Sequence, residues 1–302
     1  MKKLVNNALN VGFWNLIKNF KFVWLFWATN VVFSIALTLP ISFLLTENLL
    51  NSIQSENLLF DFDYLWFLQF YRINNKFFEV LPFWIYGASG IYVFIQLFYI
   101  GGTIAVFHNP KKNHFVDFFY GGVKYWFRFF KIFLLSLLFY FIFFELIKIF
   151  EKIFIIIFSE SISDYTLALL NAFSFILSIF FIGVVSMYSD YFKLFVALQE
   201  RTKILKTIPT VNIFIYNNFI DLFAVFFIVA LIGGLGAIVY NIAANFLPRE
   251  KVVYFILSFI LQQILIIFRF SVKIYFYSSA VYLYKELNAE IMEEEIEEIE
   301  YY

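Results

Sequence analysis

Six stretches of this chain are too long and too apolar to be spent inside a soluble core. Crossing the hydrocarbon of a bilayer takes about 20 consecutive apolar residues in a helix. Runs of that kind occur at about 20–45, 81–107, 129–150, 167–187, 219–244 and 252–270. In lipid only helices and closed barrels satisfy the backbone polar groups. These runs are continuous and lack the period-two alternation of barrel strands, so the chain is expected to be all-α and polytopic, with six transmembrane helices. Composition points the same way. The chain is 63% hydrophobic and 24% aromatic with a mean hydropathy of +0.82, where a soluble domain is nearer half apolar. There are no cysteines, which excludes disulfides, thiolate metal sites and cysteine nucleophiles. The start, MKKLVNNALNVGFWNLIKNF, has spaced apolar residues and no small-residue cleavage site, so it does not read as a cleavable signal.

Charge sets an expected orientation. The chain is neutral overall, but seven glutamates between Glu290 and Glu300 form an acidic tail, and without them the remainder carries about +7. Sixteen Lys and Arg fall on the side that holds both termini, in groups such as Lys2, Lys3, Lys18 and Lys21, Lys111 to Lys131, Lys193 to Lys206, and Arg269 to Lys285. The opposite side receives six, among them Arg72, Lys148, Arg249 and Lys251. The positive-inside rule then puts both termini in the cytoplasm of a bacterial inner membrane. Trp14, Trp24, Trp27 and Trp126 sit at the inner boundary and Trp66 and Trp84 at the outer one, as an aromatic belt requires.

The segment FVDFFYGGVKYWFRFFK, 115–131, is too charged to cross and too aromatic to be an exposed loop. Asp117, Lys124, Arg128 and Lys131 are seven, four and three residues apart, a single polar stripe on a helix. A helix with a broad apolar face and a thin basic edge lies in the interface plane. Gly121 and Gly122 are expected to bend or break it. A similar amphipathic stretch precedes the first crossing, with Lys18 and Lys21 at its end, and another precedes the fifth, with Lys203 and Lys206 opposite Ile204, Leu205, Ile208 and Val211. The chain therefore reads as three parallel repeats of interfacial helix plus helical hairpin, at about 4–112, 113–203 and 204–287. Together they make one membrane domain, 1–287, followed by an acidic cytoplasmic tail, 288–302. The returning helices look too long for the bilayer. From 167 to 198 there are 32 residues, about 48 Å at 1.5 Å each.

Polar residues at membrane depth are functional candidates by default. Asp190 and Arg269 lie at related repeat positions and are expected to pair, with Lys273 nearby, either closing the bundle or holding a headgroup. Gln262 and Gln263 lie deeper, placed for hydrogen bonds between helices or for lining a polar path. Gly233 with Ala237, and Gly87 with Gly90, read as close-packing positions. Catalytic signals are missing. His108 and His114 are the two histidines, and no acidic residue has helix spacing to both, so no metal site is expected. GGLG at 233–236 has no Lys-Ser/Thr after it and does not read as a phosphate loop. No cofactor is expected, and no nucleic-acid partner.

The FFYGGVKYWFRFF that follows YIGGTIAVF, together with the late VKIYFYSSAVYLYKEL, resembles a group of bacterial six-helix membrane proteins. That group includes the membrane domain that precedes some glycerophosphodiester phosphodiesterases. The resemblance implies a membrane-embedded, lipid-associated or accessory role. The catalytic barrel of those enzymes has no counterpart here, so their activity is not implied. The leading expectation is a non-enzymatic, multi-pass protein of lipid-associated or scaffolding role. Lys18, Lys21, Lys124, Arg128, Lys131, Lys203 and Lys206 are its expected contacts with anionic headgroups, and a protein partner or oligomer is compatible with it. The alternative is a transporter or channel for a small solute, using Gln262, Gln263, Asn241 and Asp190.

Overall fold

The computed structural model describes residues 2–49, 63–109, 114–157, 164–247 and 252–300. Lys111, Lys112, Arg249 and Lys251, which entered the charge count, lie outside the described residues, as do the side chains of the acidic tail. The described chain is all-α. Its helices are α1 (Lys2–Lys18), α2 (Lys21–Leu49), α3 (Tyr64–Ile73), α4 (Asn75–His108), α5 (His114–Ile157), α6 (Asp164–Leu198), α7 (Ile204–Asn217), α8 (Phe219–Asn245) and α9 (Val252–Glu300). Six of them, α2, α4, α5, α6, α8 and α9, are long and apolar enough to cross a membrane. In five of these six, no more than 17% of the most apolar window is buried within the protein. Their apolar side chains therefore need a partner other than the protein's own interior, and lipid is the solvent that accepts them.

The helices are punctuated by local chemistry. Asp63 caps α3, its Oδ1 accepting from the backbone N–H of Leu65 at 2.9 Å and of Trp66 at 3.1 Å, which satisfies donors that the first turn leaves open. Pro40, Pro82 and Pro209 lie inside α2, α4 and α7. The expected break at Gly121 and Gly122 does not occur: α5 is one helix of 44 residues, about 66 Å long at 1.5 Å per residue. The reason is packing. Its residues Phe118, Gly121, Gly122, Tyr125, Phe129, Ile132 and Ser136 recur every three or four positions and are buried. Both glycines lie on that face, where closeness compensates the propensity they lack.

Two compact units divide the chain, and α1, α4, α8 and α9 contribute to both. The first holds Met1–Gly12, Ile100–Phe226 and Tyr277–Tyr302. In it α5 and α6 run antiparallel: Ser136 donates to Ser189 at 2.8 Å, Tyr140 and Ser186 hydroxyls meet at 2.8 Å, and the Phe143 and Phe181 rings stack at 4.3 Å. Aromatic rings fill the rest. Phe195, Phe214 and Tyr284 form a triangle with centroids 5.6, 5.9 and 5.1 Å apart. Tyr191, fully buried, donates to the Leu222 carbonyl at 2.8 Å. Closest approach is at glycine. A Cβ on Gly121 would run into that of Ala105 and lie 2.9 Å from the Gly101 oxygen, and one on Gly102 would lie 2.5 Å from the Phe118 oxygen.

The second unit holds Phe13–Tyr99 and Phe227–Phe276. Phe26 lies at its centre, with ring centroids 4.9 Å from Tyr99 and 5.4 Å from Phe270. Close packing here falls on Gly236, where a Cβ would collide with the Phe268 ring. At the expected Gly233 a Cβ would meet Val272 at an ordinary 3.5 Å. Gly87 and Gly90, also expected to pack closely, have open space where a Cβ would stand.

These glycines should behave oppositely on substitution. Gly121→Val overpacks the α4–α5 contact and is expected to cost about 1–3 kcal/mol. Gly87→Ala removes a helix-interior glycine with nothing to collide with and is expected to be neutral or stabilising by about 0.5–1 kcal/mol. Unfolding of the two variants in detergent, followed by circular dichroism, checks the contrast; equal effects would refute the packing assignment.

Candidate functional site

Charged and polar groups gather in three places. The first is the turn that ends α6. The Glu200 N–H reaches the Ala197 oxygen at 3.4 Å and the Arg201 N–H reaches the Val196 oxygen at 3.1 Å, while Glu200 takes φ 53. This is a Schellman closure with glutamate where glycine is usual. The turn delivers the Glu200 carboxylate to Lys124 Nζ at 2.6 Å, and Arg128 donates to the Arg201 carbonyl at 3.2 Å. Two of the seven cations expected to meet headgroups are thus engaged with the α6–α7 connection. The hydrogen bond from Lys124 and then its charge, helped by Arg128 and His108, hold the Glu200 carboxyl below its ordinary range. The carboxylate is exposed, so solvent screens the pair. Lys18, Lys21, Lys131, Lys203 and Lys206 are all exposed.

The second place is Asp190. Its Oδ1 accepts from Lys193 Nζ at 2.8 Å and from the Tyr277 hydroxyl at 2.8 Å. These partners stand where Arg269 was expected. Helix geometry explains the change: Lys193 is one turn along the same helix, so it reaches the carboxylate without needing another element. Lys193 and Tyr277 are both buried, so the acid neutralises a cation that water no longer reaches.

The third place is a cavity of about 600 Å³ in the second unit. Asn30 of α2, Tyr92 and Gln96 of α4, Tyr240 of α8 and one face of α9 line it. That face comprises Gln262, Leu265, Ile266, Arg269, Phe270 and Lys273, a spacing of three and four that keeps all six on one side of the helix. Lys273 Nζ donates to Gln96 Oε1 at 3.1 Å and lies 5.6 Å from the centre of the Phe26 ring. The Tyr92 hydroxyl donates to Asn30 Oδ1 at 3.1 Å. Because Lys273 claims the oxygen of Gln96, its Nε2 is left as a buried donor with no partner among the described residues. Leaving such a group unsatisfied costs about 1–3 kcal/mol. Among the described residues, two cations and no carboxylate line the space.

The sequence-expected residues are therefore dispersed. Gln262 and Arg269 border the cavity. Gln263 accepts from the Trp27 indole N–H at 2.9 Å, an interhelical hydrogen bond. Asn241 is exposed. Asn30, Tyr92 and Gln96 were not singled out from the sequence. The signal available was an amide within an apolar run, but nothing in one dimension says which of several such amides share a cavity. No known protein family, no curated protein and no solved structure matches this chain.

Two predictions follow the local geometry. The Glu200 contribution exists when the carboxylate is charged. It is present at neutral pH, begins to fade as pH falls below the ordinary Glu value of 4.5, and is gone once pH has passed below the lowered value of the folded state. The protection factor of the amides at the α6–α7 turn, with the intrinsic pH dependence of exchange divided out, should fall over that acid range in the native protein and stay unchanged in Glu200→Gln. Removing Asp190 as Asp190→Ala strands buried Lys193 and is expected to destabilise by about 3–5 kcal/mol. Adding Lys193→Met should recover most of that loss in the same unfolding measurement.

Proposed function

We infer that the protein is a non-enzymatic, multi-pass membrane protein that associates with anionic lipid headgroups at a basic cytoplasmic face. The carrying observation is the beginning of α5. Its two apolar faces are distinct. Phe118, Tyr125 and Phe129 are buried, while Phe115, Val116, Phe119, Tyr120 and Val123 are exposed together. The stripe of Asp117, Lys124, Arg128 and Lys131 lies apart from both faces. A helix that exposes an apolar face beside cations suits the boundary between headgroups and acyl chains. Exposed Leu205, Ile213 and Tyr216 on α7, with Lys203 and Lys206 close in sequence, and exposed Phe13, Trp14 and Ile17 on α1, with Lys18, support the same reading. A basic amphipathic segment stands ahead of long apolar helical runs three times along the chain, as the separate helices α1 and α7 and as the first part of α5. We take it as three parallel repeats with both termini cytoplasmic in a bacterial inner membrane.

Lys124 and Arg128 act here chiefly as struts for the α6–α7 connection. Lys18, Lys21, Lys131, Lys203 and Lys206 carry the headgroup contact. The transport alternative keeps less support. Of its four residues, only Gln262 borders the cavity; Gln263 is engaged by Trp27, Asp190 by Lys193 and Tyr277, and Asn241 is exposed away from the cavity lining.

Each basic residue near an anionic surface contributes about 1 kcal/mol. The variant Lys18→Gln, Lys131→Gln, Lys203→Gln, Lys206→Gln should therefore lose most retained phosphatidylglycerol in native mass spectrometry of the detergent-purified protein. Its helix content should stay unchanged. Retention equal to the unaltered protein would sink the reading.

A further inference from the structure

We propose that a groove between α5, α6 and α7 seats one acyl chain of a phospholipid from the leaflet next to α7. The proposal rests on the headgroup reading above and adds where the chain of such a lipid goes. The groove has a volume of about 270 Å³, room for a stretch of hydrocarbon when one water takes about 30 Å³. Phe139 and Phe143 of α5, Val184, Val185 and Tyr188 of α6, and Ile208 and Asn212 of α7 line it. All of them belong to the first compact unit. Apart from Tyr188 and Asn212, these side chains carry no polar atom. A space walled in this way does not hold water. Left empty, it forfeits the dispersion contacts that its walls could make. Two of its walls, α5 and α6, are helices long and apolar enough to cross a membrane, so the filler at hand is acyl chain. A whole helix from a partner protein, about 10 Å across with its side chains, cannot enter so small a volume.

Polarity along the groove gives the second reason. The Tyr188 hydroxyl donates to Asn212 Oδ1 at 2.6 Å. That bond spends the amide oxygen and leaves the Nδ2 hydrogens to donate. An ester carbonyl supplies acceptors and no donor, so it suits this end. The antiparallel run of α5 and α6 fixes which end this is. The Phe139 ring lies 6.4 Å from that of Tyr188, and the Phe143 ring 4.3 Å from that of Phe181. The polar end is therefore the one nearer the basic start of α5, and the apolar end lies about one turn deeper. Lys131 precedes Phe139 by eight residues, about 12 Å of helix. A lipid with its chain in the groove thus points its headgroup toward the cations.

Continuity with α7 gives the third reason. Leu205, Ile208, Asn212 and Tyr216 recur every three or four residues, one stripe along that helix. Leu205 and Tyr216 are exposed, while Val211 and Phe214 on the neighbouring face are buried and anchor the helix. The groove therefore opens onto the exposed apolar face of α7, the same face that suits the boundary between headgroups and acyl chains. A chain reaches it from the bilayer without any helix having to move.

The test uses the full chain in vesicles of phosphatidylglycerol and phosphatidylethanolamine. A trace of phosphatidylglycerol carries a photoreactive diazirine on one acyl chain, either near the ester or at mid-chain. After irradiation the labelled residues are mapped by mass spectrometry. The ester-proximal probe is expected to label Phe139 and Tyr188, and the mid-chain probe Phe143 and Val184. Each yield should exceed that at Leu138 and Phe141, which are exposed on other faces of α5, by about threefold or more. Val184→Trp fills the groove and should bring its labelling down to the Leu138 level with helix content unchanged. If that variant loses helix content, the depth order in the unaltered protein decides alone. Groove yields no higher than those at Leu138 and Phe141 overturn the proposal, as they would if a second copy covered the groove. A reversed depth order, or labelling that survives Val184→Trp in a folded protein, overturns it too. The surface-lysine variant separates the two readings. Loss of retained phosphatidylglycerol in that variant, without groove labelling in the unaltered protein, keeps the headgroup contact and removes the groove. Groove labelling with retention unchanged in that variant does the reverse.

Discussion

A backbone placed in lipid has no water to satisfy its N–H and C=O groups, so every segment that crosses must close its own hydrogen bonds. That constraint is why the described chain is helical throughout and why its helices are long. It also explains how the apolar side chains are spent. Only a minority of them are packed inside the protein, while Phe83, Phe141, Phe175, Ile238 and Phe259 stand exposed on five of the six long helices. In water such a surface would drive aggregation. Against acyl chains it costs nothing, and the specificity of the fold must then come from elsewhere.

It comes from close approach and from polar pairs. Where lipid is as apolar as leucine, helices gain little by hiding side chains from it, and contact shape decides which faces meet. Gly101, Gly102 and Gly121 let α4 and α5 come together at backbone distance. Ser136 with Ser189 and Tyr140 with Ser186 align α5 on α6. In the second unit Trp27 with Gln263 and Thr29 with Tyr99 tie α2 to α9 and to α4. These are modest bonds, but each ties one position to one other.

Charges are treated in three different ways. Lys124 and Glu200 form an exposed bridge, useful for placing a turn and nearly neutral for stability. Lys193 and Asp190 are drawn inward with Tyr277, where each makes the other tolerable. Arg269 and Lys273 face a cavity whose described lining residues include no acid. The first two arrangements complete themselves within the protein. In the third, Lys273 leans on the Gln96 oxygen and the Phe26 ring, so polar and aromatic groups share the work that a carboxylate does elsewhere.

The amino-acid sequence by itself determined the class of structure. Runs of about 20 apolar residues admit few alternatives in lipid, so six long helices were legible. The stripe of Asp117, Lys124, Arg128 and Lys131 was legible because helical spacing is a local property. What a residue meets is not local. Gly121 and Gly122 read as a bend or a break, because propensity is counted within one helix; α4 supplies the contact against which α5 stays unbroken. Gly87 and Gly236 look alike in sequence, yet only the second has a ring pressed against it. Asp190 read as a partner for Arg269 from repeat position, but a lysine one turn away and a tyrosine from another helix reach it first. The cavity was decided by tertiary structure alone. Its walls come from four helices, and their rotation about their own axes determines which amides and cations converge.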